Sequence, residues 1–231
     1  MKIKIHTFHA FANDYLTEAG LISGEIVGNN LLRYSVLQSF IDNKALTYGK
    51  SYIIQTIMPK VETAIRYIKN FGITPDKIDL NKTAKAIEVL HKPTPAYSKA
   101  DMKAFLKYFV DAYKHYEDSK TDVIDYSDML LTFIEKFQGE KYQHVLVDEM
   151  QDMNEIEAQI VEMVSENLFL VGDAKQAIFG FQGGSIKNFQ KFEQSCKPML
   201  LSTNRRSTQQ ILGYSKKFFL DYTKHRAKFE K

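Results

Sequence analysis

Two short apolar runs, Tyr142–Val147 and Leu168–Val171, flank a segment of helix length, and this arrangement constrains the fold more than any other feature of the chain. The runs are too short for helices and partly β-branched, so they read as buried strands. Between them Asn154 stands as an N-cap with Glu157 three residues later, which predicts a helix over Asn154–Glu166. Strand, helix and strand at this spacing form a parallel α/β unit. Pro198–Leu201 is a candidate third strand. Each of the first two strands runs directly into polar residues, Asp148-Glu149 in one case and Gly172-Asp173 in the other. In an open parallel sheet ligands bind beyond the carboxyl ends of the strands, so both polar segments belong to one rim.

The rest of the chain reads differently. Lys2–His6 alternates like a short strand, and a helix follows from Thr7 or His9 to about Leu21. From Ser23 to about Thr121 the pattern is helical with no strand: Leu31, Leu32, Val36, Leu37 and Phe40 recur at helical spacing, as do Ile53, Ile54, Ile57, Val61, Ile65 and Ile68. Pro59 should kink or end a helix there. Thr74-Pro75-Asp76 carries a helix-start signature, and Ser98 with Asp101 has capping-box spacing. Ser127–Phe137 is helical again. The predicted layout is an α/β core, residues 1–22 and 122–206, interrupted by an all-helical insertion, residues 23–121, and followed by a basic helical segment, residues 207–231.

The polar segments point to chemistry on phosphates. In His144-Val145-Leu146-Val147-Asp148-Glu149-Met150-Gln151-Asp152, two adjacent carboxylates follow a strand and cannot share one orientation. One can ligate Mg²⁺ through oxygen, and the other can orient and deprotonate a water. A solvated acidic turn is the alternative. The second segment, Val171-Gly172-Asp173-Ala174-Lys175-Gln176, delivers Asp173 and Gln176 to the same rim, where the Gln176 amide can donate to a phosphate oxygen and accept from a water. Phe179 and Phe181 follow among glycines, placed either to stack on bases or to pack in a core. Asn204-Arg205-Arg206-Ser207 puts arginines just beyond the third run, as a γ-phosphate contact or as surface ion-pair partners.

Charge supports this reading only through its distribution, because the formal net charge is +3. Between Gly139 and Asp173 the acids Glu140, Asp148, Glu149, Asp152, Glu155, Glu157, Glu162, Glu166 and Asp173 face Lys141 alone, whereas from Arg205 onward the bases dominate. The two stretches are either solvated helix faces or an acidic metal site beside a basic edge. Cys196 is the single cysteine, so no intrachain disulfide forms and a reducing, cytoplasmic setting is expected. No apolar run reaches the roughly 18 residues of a membrane span, and the N-terminus has no signal-peptide core.

Five ordered segments resemble the UvrD/Rep/PcrA group of superfamily 1 helicases. Asp148-Glu149-Met150-Gln151-Asp152-Met153-Asn154 is similar to the family's D-E-x-Q-D-x-N; Gly172–Gly183 is similar to G-D-x-x-Q-x-I-[YF]-x-[WF]-R-G, with Gln182 in place of the Arg. Leu201–Ser207 resembles L-x-x-N-Y-R-S, Thr7–Phe11 resembles T-F-H-x-[FL], and Asp125–Leu130 resembles D-[FY]-x-D-[ML]-L. The resemblance implies an incomplete RecA-like P-loop NTPase sheet with a large helical insertion. It implies ATP and Mg²⁺, with Asp148 on the metal, Glu149 as the base for the attacking water, Gln176 coupling γ-phosphate to DNA and Arg206 contacting that phosphate. It implies single-stranded DNA, or DNA junctions, against Phe8, His9, Phe179, Phe181 and Asn204. Gln182 removes one ionic link that the family makes between its two sites.

The phosphate loop G-x-x-x-x-G-K-[ST] does not occur in these residues. Gly49-Lys50-Ser51 has the right ending, but the required first glycine falls at Lys44. The chain is therefore expected to be inactive alone and to need a partner, the remainder of a helicase or a second copy. The alternative is a non-catalytic module that binds single-stranded DNA or protein.

Overall fold

The computed structural model describes residues 3–22, 25–26, 29–42, 49–90, 99–120, 123–177 and 186–222. The chain divides into two compact units, Met1–Phe192 and Glu193–Lys231.

The first unit is a mixed helix and strand structure. Helix α1 (Phe8–Glu18) starts at Thr7, whose hydroxyl accepts from Ala10 N. Two-residue strands β1 (Glu25–Ile26) and β2 (Val123–Ile124) pair in parallel and set the two ends of the intervening helical stretch side by side. Strand β1 corrects the expectation of no strand between Ser23 and about Thr121. Between them lie α2 (Asn29–Asp42), α3 (Lys50–Tyr52), a π-helical stretch Ile53–Ile57, α4 (Met58–Lys69), α5 (Leu80–Leu90) and α6 (Lys99–Asp118). Pro59 neither ends nor breaks this run. Its missing N–H and bulky ring disfavour the regular bond to the preceding turn, and the chain widens to π geometry just ahead of it. Thr74-Pro75-Asp76 forms only a 3₁₀ turn, and Asp79 starts α5 by accepting from Asn81 N and Lys82 N. Ser98 lies outside the described residues.

Helix α7 (Tyr126–Lys136) then leads into β3 (Tyr142–Val147), α8 (Glu155–Val164) and β4 (Ser165–Leu170). Strands β3 and β4 pair in parallel, in a register that sets Leu146 against Phe169 and Val147 against Leu170. The predicted strand-helix-strand unit is present, including the capping box between Asn154 and Glu157. The strands are less buried than predicted. Val145, Val147, Leu168 and Leu170 point to the α7–α8 side, whereas Leu146 and Phe169 are 73% and 54% exposed. Lys2–His6 shows no ladder over its described residues 3–6, and both Ile3 and Ile5 are exposed.

Three apolar clusters fill the unit. One joins α2, α4 and α6 through Leu32, Val36, Val61, Ile65, Tyr108 and Tyr113. A second joins α1, α7 and α8 through Leu16, Met129, Leu130, Phe133, Ile156 and Ile160. The third places Met150, Met153, Val161 and Phe192 beneath the ends of the strands.

An ionic knot ties the helical stretch to the α/β part. The buried stripe of α4, Met58, Val61 and Ile65, ends on Lys69, which is only 2% exposed. Its ammonium donates to Glu117 Oε1 at 2.9 Å, Asp125 Oδ2 at 2.6 Å and Asp128 Oδ1 at 2.6 Å. Lys120 also donates to Asp128, and lies 2.6 Å from Glu117 Oε2. Tyr116 Oη donates to Asp125 Oδ2 at 2.8 Å. Asp125 and Asp128 are at the same time the capping box of α7, so one pair of carboxylates starts that helix and receives lysines from α4 and the end of α6. Burial pushes the Asp125 carboxyl up, but Lys69 and Lys120 outweigh it and bring it from the ordinary 3.8 down to about 2. Burial likewise opposes charge on Lys69, and the three carboxylates overcome it and raise its pKa.

In the second unit, α9 (Gln209–Tyr222) presents Ile211, Tyr214 and Phe218 to solvent. Pro198–Leu201 has no strand partner there, and Leu201 is 88% exposed.

Removing Lys69 leaves buried carboxylates under-compensated, so Lys69→Met should lower the unfolding free energy by about 3–5 kcal/mol at neutral pH, read by denaturant titration. The depressed Asp125 pKa gives a second expectation. Its contribution, about 2 kcal/mol, is complete above about pH 4 and is lost as pH falls through about 2. Asp125→Asn should flatten that acid limb.

Candidate active site

The ladder between β3 and β4 does not stop at the strand ends. Val171 N donates to Val147 O at 2.8 Å, and Met150 N donates to Val171 O at 2.9 Å. To make the second bond the chain must turn sharply after Asp148. Glu149 absorbs the turn in left-handed backbone, φ 52° and ψ 43°, and is the only non-glycine with positive φ among the described residues. That conformation costs about 1–2 kcal/mol for a residue with a Cβ. Asp148 and Glu149 consequently sit exposed at the rim, while the 3₁₀ turn Met150–Asp152 carries Met150 and Gln151 inward. Asp148 Oδ1 accepts from Glu149 N at 2.9 Å.

Gln151 holds the two polar segments together. Its side chain is only 3% exposed, its Nε2 donates to Glu149 Oε2 at 2.6 Å, and its Oε1 accepts from Asp173 N at 3.0 Å. Gly172 makes this approach possible. A Cβ there would lie 2.5 Å from Met150 Cγ and 2.6 Å from Gln151 Oε1, closer than real contacts allow. Beyond it Asp173 organises its own loop, accepting from Lys175 N at 2.9 Å and from Gln176 Nε2 at 3.1 Å.

The electrostatics are those of an acid-rich rim. Asp152 Oδ1 is buried without a hydrogen-bond partner. Desolvation raises the Asp152 pKa, and the Glu149 charge adds to the shift. Asp148, Glu149 and Asp173 offer hard carboxylate oxygens at this rim, the ligand type that a divalent cation such as Mg²⁺ takes. Among the described residues the three acids whose oxygens come within 4.8 Å of one another are Glu117, Asp125 and Asp128, and the ammonium groups of Lys69 and Lys120 already lie among them.

The other residues singled out from sequence fall in varied settings. Gln176 is exposed at the rim, bonded to Asp173. Phe8 is half-buried and packs on the apolar clusters beside α7 and β3. His9 stands edge-on to Tyr126, centroids 5.2 Å apart, and burial lowers its pKa. Phe179, Phe181 and Gln182 lie outside the described residues. Asn204 and Arg206 belong to the second unit. There Asn204 Oδ1 accepts from Arg206 N at 2.9 Å and Ser207 N at 2.8 Å, a local turn that leaves Arg206 exposed. Sequence reasoning missed the tie made by Gln151 and Gly172. Its trace is a glycine at the end of one strand and an amide two residues beyond a paired acid at the end of the other.

The family model of the UvrD/REP helicase N-terminal domain matches residues 1–197. The chain belongs to the UvrD/Rep helicase family. Among similar members, ATP-dependent DNA helicase PcrA of Leuconostoc citreum is 28% identical over 192 residues, covering 74% of this chain and 26% of that protein. PcrA of Staphylococcus epidermidis is 33% identical over 118 residues, covering 44% and 16%. DNA helicase II of Haemophilus influenzae is 31% identical over 121 residues, covering 46% and 17%. The chain thus aligns with a quarter or less of the length of the last two relatives, and with about a quarter of the first.

In a UvrD/Rep family chain with this rim, Gly172→Ala should lower the unfolding free energy by about 1–3 kcal/mol through overpacking. Denaturant unfolding checks this. An unchanged midpoint would show that the close approach at Gly172 is absent in solution.

Proposed function

We propose that this chain supplies the metal-binding and water-activating part of the ATP site of a UvrD/Rep-type DNA helicase, in which ATP hydrolysis drives movement on single-stranded DNA. The observation that carries the reading is the joined rim, with Asp148 and Glu149 beyond β3 tied through Gln151 to Asp173 beyond β4. Asp148 would hold Mg²⁺, which when bound neutralises phosphate charge. Glu149 accepts the proton of a water aimed at the terminal phosphate, a role worth about 10²–10⁴-fold in rate. Gln176 would sense that phosphate from the 173–176 turn, and Arg206 would contact it. Phe8, His9, Phe179, Phe181 and Asn204 would face single-stranded DNA, and a DNA junction would engage the helical stretch 23–121. The fold in this reading is a RecA-like sheet.

The phosphate-cradling amides and lysine of G-x-x-x-x-G-K-[ST] are not among these residues. The chain by itself is therefore proposed to leave ATP unhydrolysed. Among the described residues Leu146 and Phe169 leave one face of the sheet exposed, which supports a further partner, because parallel sheets are normally covered on both sides. The rest of the helicase or a second copy would pack against Leu146 and Phe169.

Phosphate release from ATP with single-stranded DNA should stay at the blank rate for the chain alone, with Glu149→Gln no different. Turnover that Glu149→Gln abolishes would contradict the incomplete-site reading. Fluorescence anisotropy with a labelled oligonucleotide should show salt-sensitive binding that Phe181→Ala weakens, by about 1–3 kcal/mol if one stacked base is lost. No binding at low salt would remove the DNA assignment. Binding without any response to nucleotide would favour a non-catalytic module.

A further inference from the structure

Gln151 has a buried carboxamide whose orientation is dictated by its neighbours. Asp173 N is a donor, so the atom facing it must be Oε1, and Nε2 is thereby turned toward the Glu149 carboxylate. Both contacts are short, 3.0 and 2.6 Å, and the side chain has no solvent to swing into. Gly172 presses the 172–173 backbone onto this amide, with room for no Cβ. Glu149 itself is held in left-handed backbone, a strained conformation for a residue with a Cβ. The only side-chain hydrogen bond described for its carboxylate comes from Gln151.

We propose that Gln151 is a positioning residue that transmits displacement of the Gly172–Gln176 segment to the carboxylate of Glu149. It does so through one rigid amide, with the Asp173 N–H at one end and Glu149 Oε2 at the other. When the segment moves, Oε1 follows the backbone donor and Nε2 carries the carboxylate with it. The proposal rests on the reading of Glu149 as the group that activates water, and it adds a regulation of that group by the neighbouring strand end. Gln176 lies on the same segment and bonds to the same Asp173, so a ligand drawn to Gln176 would act on Glu149 by this route.

The test uses the full chain without nucleotide, labelled with ¹³Cδ-glutamate and ¹⁵N, at neutral pH. Gly172→Ala should displace the Glu149 ¹³Cδ resonance, and the same substitution made in a Gln151→Met background should displace it less, by the part that the contact with Met150 Cγ still transmits. This double-mutant comparison isolates the amide from general repacking. Equal displacement in both backgrounds, or none in the first, would overturn the relay. Should Gly172→Ala not fold, Gln151→Glu answers the same question. It keeps an acceptor for Asp173 N and replaces the donor to Glu149 with a like charge. Asp173 amide exchange should then stay within about threefold of the parent while the Glu149 resonance moves. A Glu149 resonance that stays put in Gln151→Glu would also refute it. These signals report position and not turnover. Their failure leaves the assignment of Glu149 as a base standing, and loss of that assignment in a turnover assay leaves the relay intact.

Discussion

The bond from Met150 N to Val171 O holds the site together. It extends the β3–β4 pairing one step past the strands, where a simple sheet would fray. Three features follow from it. Glu149 must adopt left-handed backbone, residue 172 must be glycine, and the polar residues of both strand ends must meet on one rim. The strain at Glu149 is tolerated because Met150, Met153, Val161 and Phe192 are packed beneath the turn. Packing, strain and chemistry are thus one arrangement, in which the buried methionines stabilise what the exposed acids require.

A second constraint sets the large helical stretch against this core. Lys69 ends an apolar stripe in a charge that would be intolerable without partners. Asp125 and Asp128 supply them while also capping α7, which packs directly on α1 and α8. Any shift of α4 or the end of α6 therefore acts on the first turn of α7. The ammonium of Lys120 and the hydroxyl of Tyr116 close the knot from the other side. The Lys69 ion pairs join residues more than forty positions apart in sequence, so they fix the orientation of the helices and not merely their local starts.

How far the amino-acid sequence announces all this depends on the range of the interaction. The Asn154–Glu157 capping box and the β3–α8–β4 order are local patterns, and both form, although β4 begins at Ser165, within the segment read as helix to Glu166. Asp148 and Glu149 are legible because acids directly after a strand have only the rim to occupy. The failures are long-range or compensated. The β1–β2 pairing joins residues about a hundred positions apart through two-residue strands too short for any alternation to register. Pro59 reads as a break, but a π turn absorbs it. Ile3, Ile5 and Pro198–Leu201 have strand-like composition, yet no partner pairs with them among the described residues. Lys69 looks like one more solvated lysine, because its three carboxylates come from elsewhere in the chain. The Gly172–Gln151 tie is hidden for the same reason: neither residue means much until the strands are in register.

The rim at the ends of β3 and β4 is proposed as the divalent-cation and water side of an ATP site. Paramagnetic broadening by Mn²⁺ in the presence of ATP tests it most directly, read residue by residue in the ¹⁵N spectrum of the chain. The account predicts broadening centred on Asp148 and Glu149 and reaching Asp173, with the Asp148→Asn variant losing it. Broadening centred on Glu117, Asp125 and Asp128, or unchanged by Asp148→Asn, would contradict it.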